Sequence, residues 1–213
     1  LMGMLAALNF GLALLMKLVS IPCYLAYSAC PYMVWLAGRL MDPVETRINA
    51  AFYEQARRKI HARSDLIVIG ITGSFGKTQT KFILRELLSK RYRVLATPAS
   101  FNTAMGISRV VNDSLKKEHQ VFIAEMGAQK IGDIENLVRL TKPKYGLITS
   151  IGQQHIDTFG SFANILDAKY ELIEGLPEDG VAFFAMDNGY AERLFAKCPR
   201  EKYAAAVDGD ADY

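Results

Sequence analysis

The residues with the clearest chemical potential form the stretch GITGSFGKTQT, which runs from Gly70 to Thr80. It follows the apolar run DLIVIG and precedes a helix-like pattern, KFILRELLSK. Glycines permit the positive dihedral angles and the close approach that a backbone wrapped around phosphates requires. The N-terminus of the following helix adds favourable partial positive charge. The stretch therefore predicts a phosphate-binding loop.

The order of residues in this loop suggests their roles. Lys77 would reach the β- and γ-phosphates of ATP, and the hydroxyl of Thr78 would bind Mg²⁺. The strict pattern GxxxxGK[ST] asks for glycine at position 71, where Ile71 stands, so the loop is a variant. A plain glycine-rich turn is the alternative, but Gly-Lys-Thr between a strand and a helix argues against it. The expected nucleotide-binding residues are Thr72, Gly73, Ser74, Phe75, Gly76, Lys77 and Thr78.

Short apolar runs alternate with amphipathic stretches from residue 65 onward. Continuous apolar strands between helices predict an α/β fold, with a parallel sheet covered by helices on both faces. Ligands of such sheets bind at the carboxyl ends of the strands. Candidate strands lie at 66–71, 92–97, 121–126, 145–151 and 181–186. Candidate helices lie near 77–90, 103–115, 131–140 and 162–175.

Polar residues follow several of these strands. Glu125 could hold a hard cation through oxygen, or it could simply be an acid at a helix start. His155 follows the next strand, at a third strand terminus on the same edge. Lys169 falls near the apolar stripe of its helix, where a snorkelling side chain is the simpler interpretation. Asn102 and Thr103 can cap the next helix, or that helix N-terminus could hold a second anion such as a substrate diphosphate.

The amino-terminal stretch has a different character. Residues 1–38 contain one cation, Lys17, and no acid. Leu18 to Gly38 is about as long as a membrane-spanning helix, and the run before it could be a second span. A soluble helix would show a polar face, which argues against a buried hairpin. No small-residue cleavage site with polar flanks follows, which argues against a cleaved signal peptide. The arginines and lysines between 39 and 63 place the following domain on the cytoplasmic side of the membrane.

Composition bounds the remaining possibilities. The chain has 213 residues, 51% hydrophobic and 22% charged, which is typical of a folded protein. A net charge of +3 gives no argument for nucleic acid as a partner. Three cysteines without a CxxC pair indicate neither a zinc site nor a disulfide framework. We expect transmembrane helices in 1–40, a helical connector in 41–64 and an ATP-binding domain in 65–213.

Several motifs together resemble the Mur ligase family. They are TGSFGKT, SFNTAMG, AEMGAQKIGDI, KPKYGLITSIGQQHIDTFGS and AKYELIEGLPEDG, in the order and at the spacing of that family. They extend over roughly Asp65 to Asn188. Within the family, the chain is most similar to members that add D-alanyl-D-alanine to a UDP-linked muramoyl peptide.

The resemblance implies an ATP- and Mg²⁺-dependent ligase of peptidoglycan synthesis that works through an acyl phosphate. By its motifs, Lys77 and Thr78 match the phosphate-loop pair, and Glu125 matches a ligand of the first Mg²⁺. His155 matches a ligand of the second Mg²⁺. Lys169 matches a lysine that is carbamylated in many members. The region around Asn102 and Thr103 matches the part that contacts the substrate diphosphate.

The chain also departs from the family pattern. An apolar segment stands where the family has its sugar-nucleotide domain, and the chain stops within the expected central domain. We therefore expect a fragment of a longer, membrane-tethered protein, and we expect the fragment alone to be inactive. The alternatives are a Mur-like ligase acting on another carboxylate and a non-catalytic, membrane-bound P-loop ATPase module.

Overall fold

The computed structural model describes residues 2–152, 156–186 and 189–205. Contacts divide the chain into two units, Leu1–Ile48 and Asn49–Tyr213, and each is described by itself. A helix, α1 (Met2–His61), begins in the first unit and ends in the second.

The first unit is helical throughout its described residues, and its large apolar side chains are exposed. Pro22, Pro31 and Pro43 lie inside the helix. Each removes a backbone hydrogen bond, which membrane helices tolerate better than isolated helices in water. Within the described part of the chain, α1 is the one helix long and apolar enough to cross a membrane, judged by length and composition. Its most apolar window has a mean hydropathy of 1.6, and none of that window is buried.

The second unit is built on a six-stranded parallel sheet with the strand order β2-β3-β1-β4-β5-β6. The parallel α/β architecture predicted from the sequence is confirmed. The edge strand β6 was not predicted, because its segment EKYAA begins with two charged residues and lacks a continuous apolar run. The strands are β1 (Ile67–Thr72), β2 (Val94–Ala96), β3 (Val121–Glu125), β4 (Tyr145–Ile148), β5 (Val181–Ala185) and β6 (Glu201–Ala205).

Helices pack on both faces of this sheet. The helices are α2 (Lys77–Leu88), α3 (Ala104–Ser114), α4 (Asp133–Thr141), α5 (Ile156–Phe159), α6 (Phe162–Glu174) and α7 (Gly189–Lys197). Helix α2 packs on β1, β2 and β3, around an apolar cluster that contains Ile71 and Ile123. The larger core contains Phe122 and Leu172 and lies on the opposite face, together with residues of α3, α4, α6 and α7. Neighbouring residues of β3 therefore face different cores, as the two-residue period of a strand requires.

The last turns of α1 belong to the second unit. Ala56 and Ile60 are buried in its larger core. The ammonium of Lys59 donates hydrogen bonds to the carbonyl oxygens of Val111 and Asn112, at 2.8 and 3.0 Å. These carbonyls lie in the last turn of α3, where the Val111 carbonyl also accepts from the Leu115 N–H at 3.2 Å. The connector expected in 41–64 is thus helical up to His61, and its end packs as part of the folded domain.

The strand register brings three strand ends to one edge of the sheet. In the pairing of β1 with β3, Ile71 lies beside Glu125. In the pairing of β1 with β4, Thr72 lies beside Ile148. The loops that follow these strands therefore start close together at the carboxyl edge, which is where parallel sheets bind ligands.

Candidate active site

The loop between β1 and α2 has the backbone form that a phosphate wrap requires. Gly73 has a φ of +150° and Gly76 has a φ of +81°, which side-chain-bearing residues rarely adopt. A Cβ atom on Gly73 would also collide with the hydroxyl oxygen of Thr149. Gly76 occupies the N-cap position of α2, so the unpaired N–H groups of the first helical turn are next to the loop. This geometry agrees with the anion-binding role predicted for the loop.

The loop after β4 braces the phosphate loop from behind. The Ser74 hydroxyl donates to the carbonyl oxygen of Gly152 at 2.8 Å and accepts from the Gly152 N–H at 2.9 Å. The Thr149 hydroxyl donates to the carbonyl oxygen of Phe75 at 2.7 Å. Ser74 is buried, and its backbone N–H also donates to the carbonyl oxygen of Ser150 at 2.8 Å, so the residue stabilises the loop. Phe75, at the tip, is 53% exposed.

Lys77 and Thr78 open helix α2 directly after the loop. The ammonium of Lys77 donates to the carbonyl oxygens of Gly73 and Ser74, at 2.7 and 3.2 Å. Desolvation lowers the pKa of Lys77, and the negative charge of Glu125 works in the opposite direction. The hydroxyl oxygen of Thr78 lies 3.1 and 3.0 Å from the two carboxylate oxygens of Glu125. The predicted metal-binding pair of Thr78 and Glu125 is therefore assembled across 47 residues of sequence.

Glu125 ends β3 with a side chain that is only 2% exposed. Its Oε2 accepts a hydrogen bond from the Lys81 ammonium at 2.7 Å, and its Oε1 accepts one from the amide of Asn102 at 3.3 Å. Burying a carboxylate is costly unless it is paired and hydrogen-bonded. Here a cation, an amide and the hydroxyl of Thr78 all face the same carboxylate, which compensates for its burial.

Lys169 lies on α6 and is buried, with 5% exposure, so it does not snorkel to solvent. Burial, and to a smaller extent the charge of Lys77, lowers the pKa of Lys169 from 10.5 to about 8. Both lysines line one cavity of about 290 Å³. The other residues around this cavity include Gly73, Asn102, Thr103, Gly127, Gln129 and Asp133. The folded chain thus places several predicted site residues around one cavity. No local sequence pattern could show that these residues are neighbours.

The segment before α3 contributes two of these cavity residues in different ways. The hydroxyl of Thr103 accepts a hydrogen bond from the Gly106 N–H at 3.2 Å and caps α3, as its position predicted. Asn102 is directed instead at Glu125 through its side-chain amide. Its backbone carbonyl accepts a hydrogen bond from the Gly127 N–H at 2.9 Å. Asn102 is therefore joined to the end of β3, whereas Thr103 is joined to α3.

A magnesium ion fits part of this site. Mg²⁺ prefers oxygen ligands and usually combines one or two protein groups with phosphate oxygens and water. The Thr78 hydroxyl and the Glu125 carboxylate supply such oxygens side by side. Across the described residues there is no group of three or more His, Cys, Asp or Glu side chains that would form a complete protein cage. His155, expected to bind a second Mg²⁺, lies outside the described residues.

Lys81 is the functional-site residue that was not predicted. It is fully buried and pairs with Glu125. A signal for it does exist, because Lys81, Leu84 and Leu88 follow the i, i+3, i+7 spacing of one helix face. Leu84 and Leu88 pack into the cluster between α2 and the sheet. A lysine on that face needs a buried acid as its partner, which the linear sequence does not identify.

A glycine-rich phosphate loop after the central strand of a parallel sheet, with an acid at the next strand end, defines a P-loop-type nucleotide-binding α/β domain. The chain belongs to the Mur ligase family, since the Mur ligase middle domain matches residues 71–212. The resemblance in the sequence motifs is therefore confirmed.

Individual relatives carry the name UDP-N-acetylmuramoyl-tripeptide–D-alanyl-D-alanine ligase. The chain is 36% identical to the Bacillus subtilis protein of that name over 143 residues, which is 67% of this chain and 31% of the relative. It is 35% identical to the Escherichia coli protein over 147 residues, which is 68% of this chain and 31% of the relative. The chain therefore spans about a third of the length of these relatives.

Solved structures with the same fold carry the name MurF. A Thermotoga maritima MurF ligase in complex with ADP superimposes with a TM-score of 0.70 and 28% identity, covering 76% of this chain and 37% of that one. An Acinetobacter baumannii MurF gives a TM-score of 0.69 and 27% identity, covering 73% and 34%. The similarity thus extends to nucleotide-bound MurF structures over most of this chain.

We expect Lys77→Ala to weaken nucleotide binding by about 10- to 100-fold, because a hydrogen bond to a charged group contributes about 1.5–3 kcal/mol. Titration of ADP by calorimetry in the full-length protein measures the effect. Lys90→Ala is the control, since Lys90 is exposed beyond the far end of α2. Equal ADP affinity in the two variants would contradict the assignment of Lys77 to the phosphates.

Proposed function

We propose that the full-length protein is an ATP-dependent amide ligase of peptidoglycan precursor synthesis, which adds D-alanyl-D-alanine to a UDP-MurNAc-tripeptide. The observation that carries this proposal is the shared cavity, lined by Lys77 and Lys169, beside the Thr78–Glu125 pair. The names of the relatives and of the solved structures support the same substrates.

The reaction joins a carboxylate to an amine at the expense of ATP. An oxygen of the terminal peptide carboxylate attacks the γ-phosphorus, and ADP leaves with the electrons of the broken P–O bond. The amine nitrogen of the dipeptide then attacks the carbonyl carbon of the acyl phosphate. Inorganic phosphate leaves, and the nitrogen loses a proton to give the amide. Two anions must converge in the first step, so the protein contributes mainly positioning and positive charge.

The residues predicted to bind the nucleotide fit the first step, in which the γ-phosphoryl group is transferred to the carboxylate. Lys77 and the backbone N–H groups around Gly76 would hold the phosphates. Thr78 and Glu125 would hold Mg²⁺, which when bound neutralises charge on the phosphoryl oxygens. Lys77 lines the same cavity as Lys169, so a carboxylate in that cavity lies next to the phosphate-binding lysine.

Lys169 is suited to become a carbamate. The ammonium first loses a proton; the neutral amine then attacks CO₂, a C–N bond forms as one C=O π bond becomes C–O⁻, and the nitrogen releases a second proton. A buried cation thereby becomes an anion with two oxygens. Only the neutral amine reacts, and a pKa near 8 makes that form far more abundant at neutral pH than in an ordinary lysine. The carbamate would also relieve the repulsion between Lys169 and Lys77, and its oxygens would suit a second Mg²⁺ together with His155.

The acyl substrate would enter past the start of α3. Asn102 and Thr103 line the cavity, and the N-terminus of α3 carries partial positive charge that favours a diphosphate. Asp133, at the start of α4, and Gln129, before it, line the same cavity. The same cavity could hold the carboxylate of another precursor, because its lining residues recognise charge more than a particular sugar. A simple ATPase would have no use for the buried Lys169.

We further propose that α1 anchors the protein in the cytoplasmic membrane, with the ligase domain on the cytoplasmic side. Exposed apolar side chains cover the helix between Met2 and Ile48, and Lys17 is its one charge before Arg39. Such a surface is costly in water and favourable in lipid. An anchor would raise the local concentration of any membrane-linked substrate or partner.

We expect the full-length protein to release phosphate from ATP only when UDP-MurNAc-tripeptide and D-alanyl-D-alanine are both present. Lys169→Ala should retain ADP binding, because Lys77 and the loop are intact, and should lose amide formation. Phosphate release and product mass spectrometry measure the two effects. Phosphate release that needs no acyl substrate would favour the ATPase alternative, and wild-type ligation in Lys169→Ala would exclude Lys169 from the mechanism.

We expect carbamate formation at Lys169 to increase as the pH rises from about 6.5 to about 9 at a fixed concentration of dissolved CO₂. The sign follows from the lowered pKa, since the reactive neutral amine accumulates as the pH passes about 8. A ¹³C-carbonyl NMR signal from labelled CO₂ measures it, and Lys169→Met should lack the signal. A signal that survives in Lys169→Met would belong to another amine.

We expect the full-length protein to float with lipid vesicles in a density gradient and a variant lacking residues 1–40 to remain at the bottom. Replacing Leu14 and Leu25 with arginine should release the protein to a similar degree, because charges are costly in the bilayer core. Removal of the intact protein from vesicles by a high-salt wash would show surface attachment and contradict a spanning helix.

A further inference from the structure

Lys81 is an unusual residue for the interior of a domain. It is 0% exposed and is among the largest fully buried side chains of the described residues. It lies one helical turn after Lys77, on the face of α2 that packs against the sheet. A charged side chain at such a position is rarely present unless it is paired. The contacts of this side chain therefore identify what it does.

The ammonium of Lys81 binds two different segments at once. It donates to Oε2 of Glu125 at 2.7 Å and to the carbonyl oxygen of Ala99 at 2.6 Å. Glu125 ends β3, whereas Ala99 lies in the connection between β2 and α3. Ala99 has a φ of +41°, in the left-handed region that residues with a Cβ atom rarely occupy. Such a conformation persists only where surrounding contacts hold it.

The connection held by Lys81 carries the predicted substrate-binding residues. Thr97 begins it, with its N–H bonded to the carbonyl oxygen of Ile123 at 3.0 Å. Asn102 ends it, with its carbonyl oxygen accepting from Gly127 at 2.9 Å. Both of these bonds join the connection to β3 and the residues that follow it. Between these two bonds, Lys81 contacts the connection at Ala99. Lys81 belongs to α2, the helix that begins with the predicted phosphate-binding residues.

We propose that Lys81 is a positioning residue that couples the two halves of the site: by bonding Glu125 and Ala99 together, it holds the metal-binding carboxylate and the Asn102–Thr103 segment in one fixed arrangement. This positioning role of Lys81 rests on the proposed ligase function. Lys81 itself has no exposed surface, so it acts through these residues and does not touch substrate.

The coupling has a physical basis in the shared donor. Lys81 bonds one oxygen of Glu125, while Oε1 faces Thr78 and the amide of Asn102. A shift of the Ala99 carbonyl would move the ammonium, and the ammonium would move the carboxylate. The position of the 97–103 segment and the orientation of the Glu125 carboxylate are thereby linked.

Hydrogen exchange in the full-length protein tests the contact without any substrate. We expect Lys81→Met to raise amide exchange in peptides covering 97–103 by about tenfold or more, because a charge-assisted hydrogen bond to the segment is lost. Peptides covering 72–78 should be unchanged. Lys90→Met is the matched control, since the Lys90 side chain is 77% exposed. Unchanged exchange at 97–103, or an equal rise throughout residues 49–205, would overturn the proposal.

A second pair of variants keeps the test decisive if Lys81→Met does not fold because it leaves a buried carboxylate unpaired. Glu125→Gln keeps the bond from Lys81 to Ala99, whereas Glu125→Gln combined with Lys81→Met removes it and leaves no buried charge in the pair. We expect exchange at 97–103 to be about tenfold faster in the double variant than in Glu125→Gln. Equal exchange in these two variants would show that Lys81 does not hold the segment.

Binding and kinetics separate positioning from a purely structural role. In Lys81→Met we expect unchanged ADP affinity in EDTA, loss of the Mg²⁺-dependent gain in that affinity, and a KM for UDP-MurNAc-tripeptide raised about tenfold or more. A purely structural role would lower only the folded, active fraction and leave each KM unchanged, which would overturn the proposal. If the wild type shows no ligation, the proposed function fails, and the exchange data still decide the role of Lys81.

Discussion

The site depends on one buried carboxylate. The burial of Glu125 is compensated by the ion pair with Lys81 and by Thr78 and Asn102, which face its oxygens. Removing one partner of such a pair leaves an uncompensated buried charge, which costs more than the pair itself contributes to stability. The phosphate-loop helix, the end of β3 and the start of α3 must therefore keep their relative positions. A buried ion pair such as Lys81–Glu125 need not stabilise the folded state, but it does favour one defined arrangement of the two side chains.

The sheet makes that geometry possible. β1 is flanked by β3 and β4, so the loops after all three strands meet at one edge. The hydrogen bonds between Ser74 and Gly152 then tie the phosphate loop to the loop after β4. Glycine at 73 is required because any side chain there would collide with Thr149. The loop is thus held in shape by its neighbours before any phosphate binds, which reduces the entropy lost on binding.

Charge explains why this edge suits anions. Lys77 and Lys169 line one cavity, and burial of Lys169 and partial burial of Lys77 reduce the screening of their positive charges by water. Burial, and to a smaller extent the neighbouring Lys77, lowers the pKa of Lys169, so the protonated lysine is costly to hold there. Phosphates, a carboxylate or a carbamate at Lys169 would each relieve that cost. The same electrostatics would favour both the proposed substrates and the proposed modification of Lys169.

The sequence by itself determined the features that depend on neighbouring residues: the phosphate loop before Lys77, five of the strands, the cap at Thr103, and the acid at the end of β3. These follow from local patterns of apolar residues, glycines and capping groups, which act over a few residues. Only the tertiary structure decided that Lys169 is buried, that the Ser74 side chain braces a loop, and that Lys81 pairs with Glu125. Such pairings join residues 44 or 78 positions apart. They arise from strand order and helix packing, because a side chain's partner and its exposure to water are set by whatever the folded chain places opposite it.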